Sequence, residues 1–135
     1  MKRAIILLLG LSITAAGPSA ASSSDSLEGL WKNRPNTLVV RIAPCGQALC
    51  GTVVQASDDA KASTRKAGTT SLVGTKVLTQ LRRSSDGSYS GEVFNPNLNI
   101  HAGGTVTLES PKVLVVRGCV LAGLICRQQH WNRVG

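Results

Sequence analysis

Four cysteines, two histidines and seven acidic residues are the side chains to weigh first for chemistry. Their spacing speaks more for structure than for catalysis. Cys45 and Cys50 bracket the turn Gly46-Gln47-Ala48-Leu49, and Cys119 and Cys126 bracket a second around Leu121-Ala122-Gly123. Four cysteines allow three pairings. The local one, Cys45–Cys50 with Cys119–Cys126, is favoured because each pair closes its own turn. In the chain-entropy model such short loops stabilise by about 2 kcal/mol each. The rival reading is a tetrahedral metal site, but C-x4-C and C-x6-C are unlike zinc knuckles, and an oxidising compartment leaves no free thiolates. Neither a metal nor a cofactor is expected. There is no Gly-x-Ser-x-Gly elbow and no paired-histidine motif. No two acids can be placed facing across a cleft for acid–base work. The chain is therefore read as a non-enzyme.

The elements that position these residues are strands. Lys112 to Gly135 reads as a hairpin, with β-branched Val113-Leu114-Val115-Val116 on one arm and Leu124 to Val134 on the other. If Cys119 faces Cys126, Arg117 lies opposite Gln128, Val116 opposite Gln129, Val115 opposite His130 and Leu114 opposite Trp131. Alternation then sets the disulfide and His130 on one face. Leu114, Val116, Ile125, Arg127, Gln129, Trp131 and Arg133 share the other, read here as the interior.

The first cysteine pair sets a second hairpin, Thr37 to Ala43 returning as Gly51 to Ala56. With Cys45 opposite Cys50, Ile42 meets Val53 and Val40 meets Gln55, so Leu38, Val40, Ile42, Val53 and Gln55 face inward. Both hairpins place the disulfide on the wetter face. Ser57 to Ser71 has no apolar residue larger than Ala and reads as a long mobile loop, a candidate lid. Strands follow at Leu72–Leu81, Ser88–Phe94 and Ile100–Glu109, separated by turns at Ser84-Ser85-Asp86-Gly87 and Asn95-Pro96-Asn97. Gly91 suggests a bend or a bulge. No stretch shows helical periodicity with caps. The fold class is all-β: about eight antiparallel strands, closed most economically as an up-and-down barrel.

Ahead of the barrel, Lys2-Arg3, the apolar run Ala4–Ala16 and Ser19-Ala20-Ala21 read as a cleaved signal peptide over 1–21. A polar, disordered leader follows over 22–26, and a single domain over 27–135. The expected location is periplasmic or secreted, with no transmembrane segment after cleavage. The chain carries 15 Lys and Arg against 7 Asp and Glu, a net charge of +8. Losing Lys2 and Arg3 with the leader leaves about +6, which suits weak attraction to anionic envelope surfaces. The basic residues are scattered and aromatics make up 3%, so no nucleic-acid platform is expected.

Gly29-Leu30-Trp31, Leu49-Cys50-Gly51 and Asp86 through Pro96 resemble the secreted bacterial family called domain of unknown function 2147. So do Val115-Val116-Arg117-Gly118-Cys119 and Cys126-Arg127-Gln128-Gln129-His130-Trp131-Asn132-Arg133-Val134. Two stretches depart from the family pattern. Asn97-Leu98-Asn99-Ile100-His101 stands where Gly-Lys and Tyr are usual, and the loop before Leu72 lacks the usual Asn-Pro-Asp and Arg-Pro steps. A broader likeness is to lipocalins and other calycins, which begin with Gly-x-Trp and end with an Arg packed over that Trp. The resemblance implies a barrel closed by Gly29, Trp31 and Arg133.

A lumen with apolar walls and a few polar groups is the usual form of a small-ligand site. The candidate lining is Leu114, Val116, Val40, Ile42, Val53 and Trp131 with Arg127, Gln129 and Gln55. Arg127 is the group to meet a carboxylate or phosphate. The leading expectation is a small amphipathic or lipid-like ligand in the lumen. Alternatives are a protein-binding module, such as an inhibitor of an envelope hydrolase, and an accessory envelope protein held by charge. An eight-stranded barrel is either filled or hollow, and few large aromatics favour hollow.

Overall fold

The computed structural model describes residues 26–135 as one continuous chain. The signal peptide and nearly all of the leader read from the sequence lie outside the described residues. Eight strands follow in order: β1 (Gly29–Asn33), β2 (Leu38–Cys45), β3 (Ala48–Ala56), β4 (Lys76–Arg83), β5 (Tyr89–Asn95), β6 (Ile100–Ser110), β7 (Val113–Val120) and β8 (Ile125–Arg133). Each pairs antiparallel with the next, and β1 closes on β8 through Trp31↔Arg133, Lys32↔Asn132 and Asn33↔Trp131. The closed barrel leaves no strand edge open to pairing. Both disulfides form in the local pairing, Cys45–Cys50 and Cys119–Cys126. Two such bridges point to an oxidising, extracytoplasmic compartment.

In the last hairpin the register follows the cysteines. Cys119 pairs with Cys126, Arg117 with Gln128, Val115 with His130 and Leu114 with Trp131. In the first hairpin it does not. Cys45 pairs with Ala48 and Cys50 with Ala43, so the bridge runs diagonally and Ile42 meets Gly51 instead of Val53. The cause is a two-residue turn with Gly46 at φ 68°, the left-handed position that such turns require. The slip is two residues, so it leaves every side chain on its expected face up to Val53. Beyond that, a bulge shifts the register between Val39 and Val40, and Gln55 pairs with Val39. The extra residue turns Gln55 outward and brings Ala56 inward against the core.

A second irregularity lies in β4, where Gln80 adopts φ 52° and the pairing with β5 slips between Thr79 and Arg82. The Thr79 and Gln80 carbonyls press onto β5 at Gly91, where a Cβ would come within 2.5 Å of the Thr79 oxygen. That contact explains a glycine in mid-strand. The stretch 72–75, read as part of this strand, is a turn, with Gly74 N–H donating to the Val53 carbonyl (2.8 Å).

The antiparallel order gives the barrel two unlike ends. Residues 26–28 and the turns at 46–47, 84–88 and 111–112 gather at one end. There the Arg133 guanidinium lies 4.2 Å over Trp31 and donates to the carbonyls of Pro111 (2.8 Å), Glu28 (2.9 Å) and Ser26 (2.7 Å). Trp31 Nε1 donates to the Leu27 carbonyl (2.8 Å). Gly29 has φ 132°, and a Cβ there would meet Arg133 Nη1 at 2.8 Å. Above this closure, Leu27, Val40, Ile42, Val53, Leu81, Val106 and Leu114 are each at most 1% exposed. This half of the interior is solid.

Candidate functional site

The other end is built differently. The turns at 34–37, 96–99 and 121–124 gather there with the long connection 57–75. The interior opens into a cavity of about 380 Å³. Its apolar wall includes Leu38, Leu72, Leu78, Val93, Val116 and Trp131. Its polar groups are the amides of Asn33, Asn95, Asn97 and Gln129, the hydroxyls of Thr37 and Thr64, and Arg127. Arg127 is the one charged side chain in that lining, and among the described residues no carboxylate lies within ion-pair distance of it.

Each polar group has a local cause. Asn33, 7% exposed, folds over the first turn: its Oδ1 accepts from the Thr37 and Leu38 N–H groups (both 2.9 Å) and its Nδ2 donates to Thr37 Oγ1 (2.8 Å). Trp131 Nε1 donates to Gln129 Oε1 (3.1 Å), which turns the amide toward the wall. Arg127 stands beside Gly118, which stands beside Gly104. The Val93 side chain covers Gly104, where a Cβ would collide with it, while at Gly118 it leaves room for one.

Across the mouth lies an element the sequence reading did not foresee. The stretch 57–71 is not a mobile loop: its first part is the helix α1 (Asp58–Lys66). Ser57 caps it, accepting from the Ala60 N–H (3.1 Å). Asp58 and Asp59 sit in the first turn and Arg65 and Lys66 in the last, each complementing the helix dipole. The helix was missed because it has no large apolar residue to make a periodic stripe. The signals that could have found it were the cap Ser57, the acid-first, base-last order and Gly68 just beyond. Small residues suit its position, because only Ala60 and Thr64 face the cavity. Thr64, 1% exposed, satisfies its hydroxyl on the Ala60 carbonyl (2.9 Å). Ser63 Oγ donates to Asn97 Oδ1 (3.2 Å), tying the helix to the β5–β6 turn. A helix of nine residues has little stability of its own, so α1 rests on its cap and these contacts.

The expected lining residues therefore divide. Trp131, Gln129, Arg127 and Val116 meet at the cavity. Leu114, Val40, Ile42 and Val53 point inward but belong to the solid half below it. Gln55 is on the outer surface, carried there by the bulge. The histidines lie outside. His101 Nδ1 is 2.7 Å from Glu92 Oε1 and its ring stacks on Phe94 (4.4 Å), while His130 Nε2 is 3.4 Å from Glu109 Oε2. Among the described residues no three His, Cys, Asp or Glu side chains are grouped to hold a metal.

The family model described as "Uncharacterized protein conserved in bacteria (DUF2147)" matches residues 29–133. Among solved structures, protein HP1028 from Helicobacter pylori, described as belonging to the lipocalin family, superposes with a TM-score of 0.61. The identity is 15%, and the match covers 81% of this chain and 83% of that one. That likeness is one of fold. No curated protein matches the chain.

Proposed function

The chain belongs to this bacterial family, domain of unknown function 2147, and from its barrel mouth we propose that it is an exported, non-enzymatic binder of a small amphipathic anion. The apolar body of the ligand lies against Leu72, Leu78, Val116 and Trp131, and its carboxylate or phosphate meets Arg127. The single observation carrying this reading is an apolar cavity whose one charged lining group is Arg127, a solvent-exposed cation with no carboxylate in ion-pair distance among the described residues. A cavity of about 380 Å³ is at the small end for ligand sites, which suits a single-chain acid. The disulfides, with the export signal expected from the sequence, suit the periplasm or the cell exterior.

The test begins with native mass spectrometry of the protein taken from its host's exported fraction. A retained species of a few hundred daltons supports the reading. Calorimetric titration with decanoate then compares wild type with Arg127→Ala. A charge-assisted hydrogen bond contributes about 1.5–3 kcal/mol, so the variant loses roughly ten- to a hundredfold in affinity with an unchanged melt. An apo mass together with no decanoate uptake would sink the proposal.

A further inference from the structure

We propose that the rim of the mouth on the β5–β6 and β7–β8 side is a docking surface for an anionic lipid bilayer. It deepens the reading above, on which it rests for what the docked protein would collect: it makes the membrane the source of the ligand.

The two turns are neighbours. Gly103 of β6 pairs with Cys119 of β7, which brings the turn at 96–99 beside the turn at 121–124. Of the eight exposed large hydrophobic residues among those described, five lie on or next to these two turns: Leu98, Ile100, Leu121, Leu124 and Ile125. Leu124 is 84% exposed and Leu121 65%. Single exposed apolar residues are ordinary, but a cluster marks an interaction surface.

The backbone adds a second sign. Leu121 and Ala122 both adopt φ 55°, a left-handed conformation that bulky residues avoid. Asn or Gly would hold this turn with less strain and mix better with water. The Cys119–Cys126 bridge at its base fixes the turn in place. Strain retained at an exposed tip is characteristic of functional sites.

Charge decides what covers the tips. Ser63 bonds to Asn97, and Gly68 lies against Asn99. The last turn of α1, with exposed Arg65 and Lys66, thus stands beside Leu98. Arg127 lies just inside the rim. Residues 95–101 and 119–127 contain no acid, and Glu92, further down β5, is bonded to His101. Asp58 and Asp59 lie at the other end of α1, toward Thr37. Leucine tips flanked by cations match the boundary of an anionic bilayer, where apolar residues enter the acyl layer and cations meet headgroups.

The experiment is co-sedimentation of the mature protein with vesicles of phosphatidylglycerol and phosphatidylethanolamine, against vesicles of phosphatidylcholine alone. The wild type sediments with the anionic vesicles. Leu124→Ser, alone and with Leu121→Ser, and separately Arg65→Gln with Lys66→Gln, each lower the bound fraction by about tenfold. Decanoate affinity in vesicle-free solution stays within about twofold in all of these variants, because none removes Arg127. Absence of decanoate binding in every form would instead mark failure of the lumen reading. No sedimentation of the wild type, or undiminished sedimentation of folded Leu124→Ser, would overturn docking. A dimer in vesicle-free solution that Leu124→Ser abolishes would also overturn it, assigning the tips to a second copy of the chain.

Discussion

Arg127 and Arg133 project from the same face of β8, yet they do opposite work. Arg133 spends its donors on the carbonyls of Pro111, Glu28 and Ser26 and lies over Trp31. Arg127 faces a cavity and pairs with no carboxylate among the described residues. Removing Arg133 therefore costs stability. Arg133→Ala is expected to lose about 2–3 kcal/mol, from charged hydrogen bonds and a cation–π contact that are partly solvent-screened. Arg133→Lys recovers less than half, because a point charge cannot serve three divergent carbonyls. Urea melts of the three proteins check this, and equal midpoints would show that the closure does not need the guanidinium. Both roles were partly legible, since alternation from the Cys119–Cys126 pair puts Arg127, Gln129, Trp131 and Arg133 on one face. Gln55 was not. A bulge adds one residue without a strong sequence mark, and one residue is enough to reverse a face.

The two hairpins show what a cysteine pair can and cannot fix at the level of an element. Cys119 and Cys126 are directly cross-strand, so the register could be counted outward from them. Cys45 and Cys50 are diagonal, and the same counting was wrong by two residues. The slip preserved parity, so the inward set Leu38, Val40, Ile42 and Val53 survived the error. The helix α1 failed for another reason: its stability comes from capping and from where it sits, not from a buried stripe. Ser57→Ala removes the cap and costs about 1 kcal/mol locally. Hydrogen exchange is expected to speed up about fivefold at the amides of 58–66 while the strand amides of β6 and β7 keep their protection. If α1 gates the cavity, decanoate also dissociates faster from this variant. Uniform acceleration across the barrel would mean that α1 is coupled to global unfolding and does not open separately.

Taken whole, the barrel is half core and half vessel. Its lower half is filled by Trp31, Leu27, Ile42, Leu81 and Leu114, while its upper half encloses a cavity walled by Leu38, Leu72, Leu78, Val116 and Trp131. The sequence left this division open, because strand alternation says which side chains point inward and not how far they reach. Gly118 lies in the lining of the hollow half. A Cβ at Gly118 would stand 3.7 Å from the Ala102 and Val93 Cβ atoms, ordinary contact with no clash, and the backbone there is not in the left-handed region. The position tolerates a side chain and lacks one. Gly118→Leu should therefore extend the solid half upward into the cavity. It is expected to stabilise the fold by roughly 0.5–2 kcal/mol, the range for cavity filling, while decanoate binding disappears. A thermal melt and a calorimetric titration on the same preparation read both effects. A more stable protein that no longer binds would place the ligand in the lumen. A more stable protein that binds as before would leave the lumen proposal without a site, and would move the search for ligands to the outer surface of the barrel.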